Sequence, residues 1–258
     1  MMASRRLASS HPPEDTAGMP RHQPEPGARL ARRLACHQAI HDPQREPRNE
    51  LRWLKPLQAW QAVRLQRGFA GFLDDPTRRP AAQFFLTDVY GDHDFSQRDA
   101  DIARVMPKMG MLLPRVLVAT VASGIELGAL THALDLRMAE ALQRLVPRRR
   151  TLDEAVYARA YREVGLKRLR ARQVALIDEV GHGVAAALRM PGVGALLVLS
   201  RIPARVAGLA DLQGFLERGF AAFAELGDAA AFLVEIRDIE SRVMQRLFAG
   251  HPQPFASE

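Results

Sequence analysis

Leu117-Val118-Ala119-Thr120-Val121-Ala122-Ser123-Gly124-Ile125-Glu126-Leu127-Gly128-Ala129-Leu130-Thr131-His132-Ala133-Leu134-Asp135-Leu136-Arg137-Met138 decides the fold. It lies inside a helical pattern that runs from Met111 or Pro114 to Val146, which at 1.5 Å per residue spans roughly 50 Å. At 100° per residue, Leu117, Val121, Gly124, Gly128, Thr131, Asp135, Met138, Leu142 and Val146 share one face. Leu127, Leu130 and Leu134 widen it. Gly124 and Gly128 cut a notch in which a second helix can approach closely. The window Val116 to Leu134 is the most apolar of the chain, but Glu126 sits near its middle. A carboxylate there would cost about 2–4 kcal/mol in a bilayer, so the window reads as a buried helix and not as a transmembrane segment.

Toward the C-terminus, Pro147-Arg148-Arg149-Arg150 makes a sharp basic turn. Thr151 and Glu154 have the spacing of a capping box. The helix they open is expected to run to Met190, with Ala158, Gly165, Leu169, Leu176, Val180, Gly183 and Ala187 on one face. Lys167, Arg168, Arg170 and Arg172 form its polar middle. The expected architecture is therefore all-α, a multi-helix bundle built on two long antiparallel helices. Pro191-Gly192 ends the second of them, and Val193 to Val206 reads as a short, very apolar helix interrupted by Pro203. Asp211 can cap another, carrying Leu212, Phe215, Leu216, Phe220 and Phe223. Gly227-Asp228 leads into the last, with Phe232, Leu233, Ile236, Ile239, Val243, Met244, Leu247 and Phe248 inward until Gly250 and Pro252.

Toward the N-terminus the pattern weakens. Residues 1–48 read as a disordered or loosely helical tail, although Arg29 to Ile40 has the makings of a short basic helix. Residues 49–250 read as a single helical domain and 251–258 as a flexible tail. Asn49 is placed to cap a helix reaching Asp74, with Pro56 in its first turn or at a kink. Phe84, Phe85, Val89 and Tyr90 then give one or two helical turns with an aromatic edge, closed by Gly91. Ser96 with Asp99 resembles a second capping box, opening a short helix through Ile102, Val105, Met106 and Met109 that Pro107 limits. Asp92, Asp94 and Ser96 match the opening of a calcium loop, but Gln97 and Ala103 occupy the places of its Gly and bidentate Glu.

Phe84-Phe85-Leu86-Thr87-Asp88-Val89-Tyr90-Gly91 with Asp94-Phe95-Ser96-Gln97-Arg98-Asp99-Ala100-Asp101-Ile102-Ala103-Arg104-Val105-Met106-Pro107-Lys108-Met109 resembles a family of uncharacterised bacterial proteins, mostly proteobacterial. Leu212 to Phe223 and Leu226 to Ala229 extend the resemblance, which covers about residues 50–250. It implies an all-helical domain of unknown function and assigns no catalytic or binding residue.

The net charge of +7 rests almost wholly on arginine, since Lys55, Lys108 and Lys167 are the only lysines. No aromatic-interleaved basic stripe accompanies it, so specific nucleic-acid binding is not indicated. A lone Cys36 leaves no intramolecular disulfide and suits a reducing, cytoplasmic setting. His132 and Asp135, three apart, could orient an imidazole for metal binding or proton transfer. Glu179 and His182 repeat one ligand pair of a di-iron bundle, without the second pair and the two further carboxylates such a site needs. In a tight hairpin, position 132 faces about 165, which keeps the two pairs apart. Tyr157 and Tyr161 could line a pocket. No complete catalytic constellation appears. The first expectation is a non-catalytic protein that binds a protein partner or forms a homo-oligomer. A metal- or haem-dependent helical enzyme using His132, Asp135, Glu179 or His182 is the alternative. Polyanion binding through Arg148–Arg150 and Lys167–Arg172 is the weakest.

Overall fold

The computed structural model describes residues 26–89 and 115–256. The expected cap at Ser96, the aspartates from Asp92 to Asp101, and the helix through Met109 lie outside them. Among the described residues the regular structure is helical throughout, and no strand occurs.

The chain order is α1 (Pro26–His41), a 3-10 turn (Pro47–Glu50), α2 (Leu54–Gly68), α3 (Ala70–Asp74), α4 (Arg79–Phe84) and a π turn (Phe85–Val89). Then come α5 (Arg115–Leu145), α6 (Glu154–Val164), α7 (Lys167–Arg189), α8 (Val193–Leu199), α9 (Arg201–Val206), α10 (Ala210–Ala224) and α11 (Ala229–Ala249).

Helix α5 is the axis. It packs most extensively against α1 and α7, and also against α2 and α6. The sequence reading gave it one apolar face. In the structure it is surrounded, and Val118, Ile125, Leu127, Leu134, Leu136, Met138, Ala141 and Leu142 are all buried. Its length and hydropathy would suit a membrane crossing. Four helices pack around it, and a third of its most apolar window is buried. Contacts between α5 and α7 step in opposite directions along the two helices. Gln173 Nε2 donates to Thr131 Oγ1 at 2.7 Å, and Ser123 Oγ donates to Glu179 Oε2 at 3.1 Å.

The helix expected from Thr151 to Met190 is two helices. Gly165 (φ 65°, ψ −110°) and Leu166 (φ 52°) both lie in the left-handed half of backbone space, which an L residue in a helix cannot occupy. A single glycine within a helical pattern is often tolerated, so the pattern alone did not reveal the break. The cap also moves by two residues: Asp153, rather than Thr151, accepts from Val156 N at 2.9 Å. Asn49 does not cap α2, which starts at Leu54 with Pro56 in its first turn. Asp228 caps α11, accepting from Ala231 N, and Gly250 ends it with φ 71°.

Two large apolar clusters result. One joins Phe69, Phe72, Phe84, Phe85, Leu176, Phe223, Phe232 and Leu233. The other joins Trp53, Leu57, Leu136, Met138, Leu142, Tyr157, Tyr161 and Leu247. A smaller third cluster seats α1 on α5 through Leu30, Leu34, Val118, Ala122 and Ile125. The residues left between helix and tail by the sequence thus form a packed helix.

Candidate functional site

The residues singled out from the sequence lie at separate places in the bundle. His132 leaves α5 toward α1 and the 3-10 turn. Asn49 Nδ2 donates to Ile40 O (3.0 Å) and Glu46 O (2.9 Å), which turns the amide oxygen of Asn49 toward His132. His132 Nε2–H therefore donates to Asn49 Oδ1 at 2.7 Å, and this fixes its tautomer. The ring of His41 stacks on His132 with centroids 3.9 Å apart, and His37 follows at 4.2 Å. Of the expected notch, His37 fills the Gly128 half, where a Cβ would come within 3.2 Å of its ring, while a Cβ on Gly124 would meet nothing within 4 Å. Ring nitrogens present their lone pairs in the ring plane, so the stacked rings of His41 and His132 do not converge on one metal. Burial, then the neighbouring His41 and His37, push the His132 imidazolium down to about 4.

Asp135 leaves α5 toward α2, α6 and α7, and its partners are different. Gln61 Nε2 donates to its Oδ1 at 3.1 Å and lies 3.5 Å from the Tyr157 hydroxyl. Burial lifts the Asp135 carboxyl to about 6, against the opposing pull of Gln61, the Arg170 charge and Gln58. Arg170 is buried beside it, with its guanidinium 4.5 Å over the ring of Tyr161 and NH1 donating to Gln173 Oε1 at 3.3 Å. Its NH2 has no hydrogen-bond partner among the described residues. The sequence reading put Arg170 in the polar middle of one long helix, within a cluster offered for polyanion binding. The break at Gly165–Leu166 restarts the helix, so the register assumed for one long helix does not hold. Tyr157 and Tyr161 are buried, and Tyr157 stacks on Trp60 at 4.4 Å. They are core residues with one polar atom each, not an open pocket lining.

Glu179 belongs to a third group. Arg172 pairs with it and also with Glu126 (2.9 Å), and Arg33 of α1 pairs with Glu126. Ser123 ties Glu179 to α5. Burial alone would raise the Glu179 carboxyl, but Arg172, Ser123 and Arg33 hold it below its ordinary value. This network explains both Glu126 inside the most apolar window and the fate of Glu179, whose oxygens are engaged. His182 stands in solvent on the flank of α7, 3.5 Å from Asp178. Among the described residues, no three His, Cys, Asp or Glu side chains gather as a metal site. The basic clusters are also divided: Arg149 pairs with Asp153, Arg172 with its glutamates, and Arg170 is inside.

The strongest surface feature is one the sequence reading described only as a very apolar helix. At Met190–Pro191–Gly192 the chain turns by 84° out of α7 into α8. α8 and α9 form an almost continuous ridge, with Ser200 N bonded to Leu196 O and Ala204 N to Ser200 O. The inward edge rests on α10: Gln213 Nε2 donates to Leu197 O at 2.6 Å, Ser200 Oγ to Gln213 Oε1 at 3.1 Å, and Arg201 pairs with Glu217 at 2.7 Å. Neither helix has a buried residue. Along the outer edge, Leu196 and Val198 are 54% exposed, Leu199 and Ile202 75%, and Val206 84%. Five aliphatic side chains this exposed form a patch on the order of 600 Å², the upper limit of what monomers usually show. Nearby, an open groove of about 200 Å³ is lined by Leu188, Phe220 and Phe223. It is smaller than the ~300–1,000 Å³ that small-molecule sites occupy.

A family model described as a domain of unknown function (DUF8198) matches residues 40–254. No curated protein and no solved structure matches the chain.

Proposed function

The chain belongs to the DUF8198 family, and from that premise we propose that it is a non-catalytic helical protein that works by association, through the ridge of α8 and α9. The observation that carries this is the outer edge of the ridge, where Leu199, Ile202 and Val206 stand at least three-quarters exposed. An apolar stripe of this kind raises the free energy of the isolated chain and is repaid by docking. The polar residues that could have served chemistry support the same reading. Asn49 and the stacked imidazoles engage His132, and Arg172 and Ser123 engage Glu179.

The test compares the wild-type chain with Leu199→Ser/Ile202→Ser. The double variant is expected to lower association at least tenfold with unchanged far-ultraviolet circular dichroism. Association is read as self-association in sedimentation and as photo-crosslinking from position 206 in producing cells. Equal association of the two proteins overturns the reading.

One observation favours the metal-dependent alternative: Asp135 is a buried carboxyl lifted toward neutrality, as functional acids often are. Elemental analysis and an absorption spectrum decide it. Stoichiometric iron or manganese, or a haem band, lost on His132→Ala would replace the association reading. A blank after growth with added metal removes the alternative.

A further inference from the structure

We infer that the surface on which the α8–α9 ridge docks is an anionic lipid bilayer. This rests on the association reading above and names its partner. Four observations favour lipid over a protein surface.

First, the outer edge is purely aliphatic. Leu196, Val198, Leu199, Ile202 and Val206 contribute no aromatic ring. Protein hot spots draw on Trp, Tyr and Arg, whereas Leu and Val are under-represented in them. Aliphatic side chains on a short helix are what an acyl boundary accepts. Second, the segment that forms the ridge carries charge of one sign, although Glu217 of α10 faces it. Between Glu179 and Asp211 the chain has no acidic residue, and its cations are Arg189, Arg201 and Arg205. Arg201 is held by Glu217. Arg189 and Arg205 are exposed and form no ion pair among the described residues. They are placed at the two ends of the ridge, where they would meet lipid phosphates as the stripe between them enters the acyl boundary. Third, the same charge disfavours a second copy. Stacking two ridges face to face would bring like charges together on a chain that already carries +7. The patch is also smaller than the roughly 800 Å² per partner of a standard stable interface. Fourth, α7 and α8 together are apolar enough for a membrane segment but are bent by 84°. The bend lays the short apolar helix sideways across α10, at a steep angle to α7, as a segment lying in the interface plane and not across it would be.

The experiment is co-sedimentation of the full chain with vesicles of phosphatidylcholine, with and without phosphatidylglycerol. The expected result is binding to phosphatidylglycerol vesicles at least tenfold stronger than to phosphatidylcholine alone, weakening as salt rises. Leu199→Asp/Ile202→Asp should abolish binding. Arg189→Gln/Arg205→Gln, which leaves the apolar stripe intact, should lower it by roughly tenfold or more. Circular dichroism of both variants confirms folding, and all the substituted positions are exposed. Binding that survives both variants would trace to the general positive charge and overturn the inference. An absence of vesicle binding, with ridge substitutions still abolishing self-association or crosslinks to protein, would assign the ridge to a protein and leave the association reading standing. An absence of vesicle binding with no effect of the ridge substitutions on any association would overturn both.

Discussion

Asp135→Asn and His132→Gln are expected to tilt the pH dependence of stability in opposite directions. The imidazole of His132 falls from an ordinary value of 6.5 to about 4 in the fold. Between those values the unfolded chain holds a proton that the folded chain does not, so stability is lost as pH falls from 6.5 toward 4. The Asp135 carboxyl rises from 3.8 to about 6. There the folded chain holds the extra proton, so stability is lost as pH rises from 3.8 through 6. Each effect reaches about 3 kcal/mol when complete, at about 1.4 kcal/mol per pH unit. Over the shared interval they nearly cancel. Asp135→Asn should gain up to about 3 kcal/mol at pH 7 and then lose about 2 kcal/mol between pH 7 and 5, because only the His132 slope remains. His132→Gln should gain about 1 kcal/mol over the same interval. The wild type should lie between them, with the flattest profile. Urea unfolding of the three proteins at a series of pH values measures this. Parallel profiles would show that the two groups do not titrate across the folding transition.

The second large effect is expected at the crossing of α5 and α7. A Cβ at Gly183 would lie 2.7 Å from the Cβ of Thr120, and one at Gly181 would lie 2.8 Å from the Cβ of Leu233 on α11. These are root atoms of side chains, which a rotamer change cannot move aside. Gly183→Val is therefore expected to force α5 and α7 apart and to destabilise by about 3 kcal/mol or more, in the upper range of overpacking. Gly71→Val, at a glycine whose Cβ would meet nothing within 4 Å, is the control and should cost far less. Thermal unfolding gives the comparison. If both substitutions cost the same, helix propensity rather than close approach governs position 183.

These two sites show what the sequence could disclose. Helix type and some helix ends were legible, because periodicity, Pro191-Gly192, Asp228 and Gly250 are local signals. Gly183 was placed on the inner face of its helix by the same arithmetic, but the partner atom it meets, on Thr120, was not recoverable from spacing. His132 and Asp135 were legible as buried polar residues on a central helix. Their separation was not, because a single apolar face was assumed for a helix that neighbours surround. His132 then finds Asn49, and Asp135 finds Gln61, at 83 and 74 residues' distance in the chain. Arg170 was misplaced for a different reason. The positive-φ pair Gly165–Leu166 resets the helical phase, and an arginine read into a polar cluster turns inward over Tyr161. The ridge was legible as an apolar segment. Its exposure was not, since apolarity alone predicts burial.

Helix α1 (Pro26–His41) lies almost wholly before the region that the family model matches, which begins at residue 40. Yet Leu30 and Leu34 are sealed against Val118, Ala122 and Ile125, and Arg33 completes the charge pairing of Glu126. The stretch that defines the lineage is therefore smaller than the body that folds. A chain begun at residue 40 would keep every family position but leave an oily furrow along its axis helix, with an under-neutralised carboxylate at the furrow's edge. Helix α1 acts as the lid of a box whose other walls lie inside the matched region.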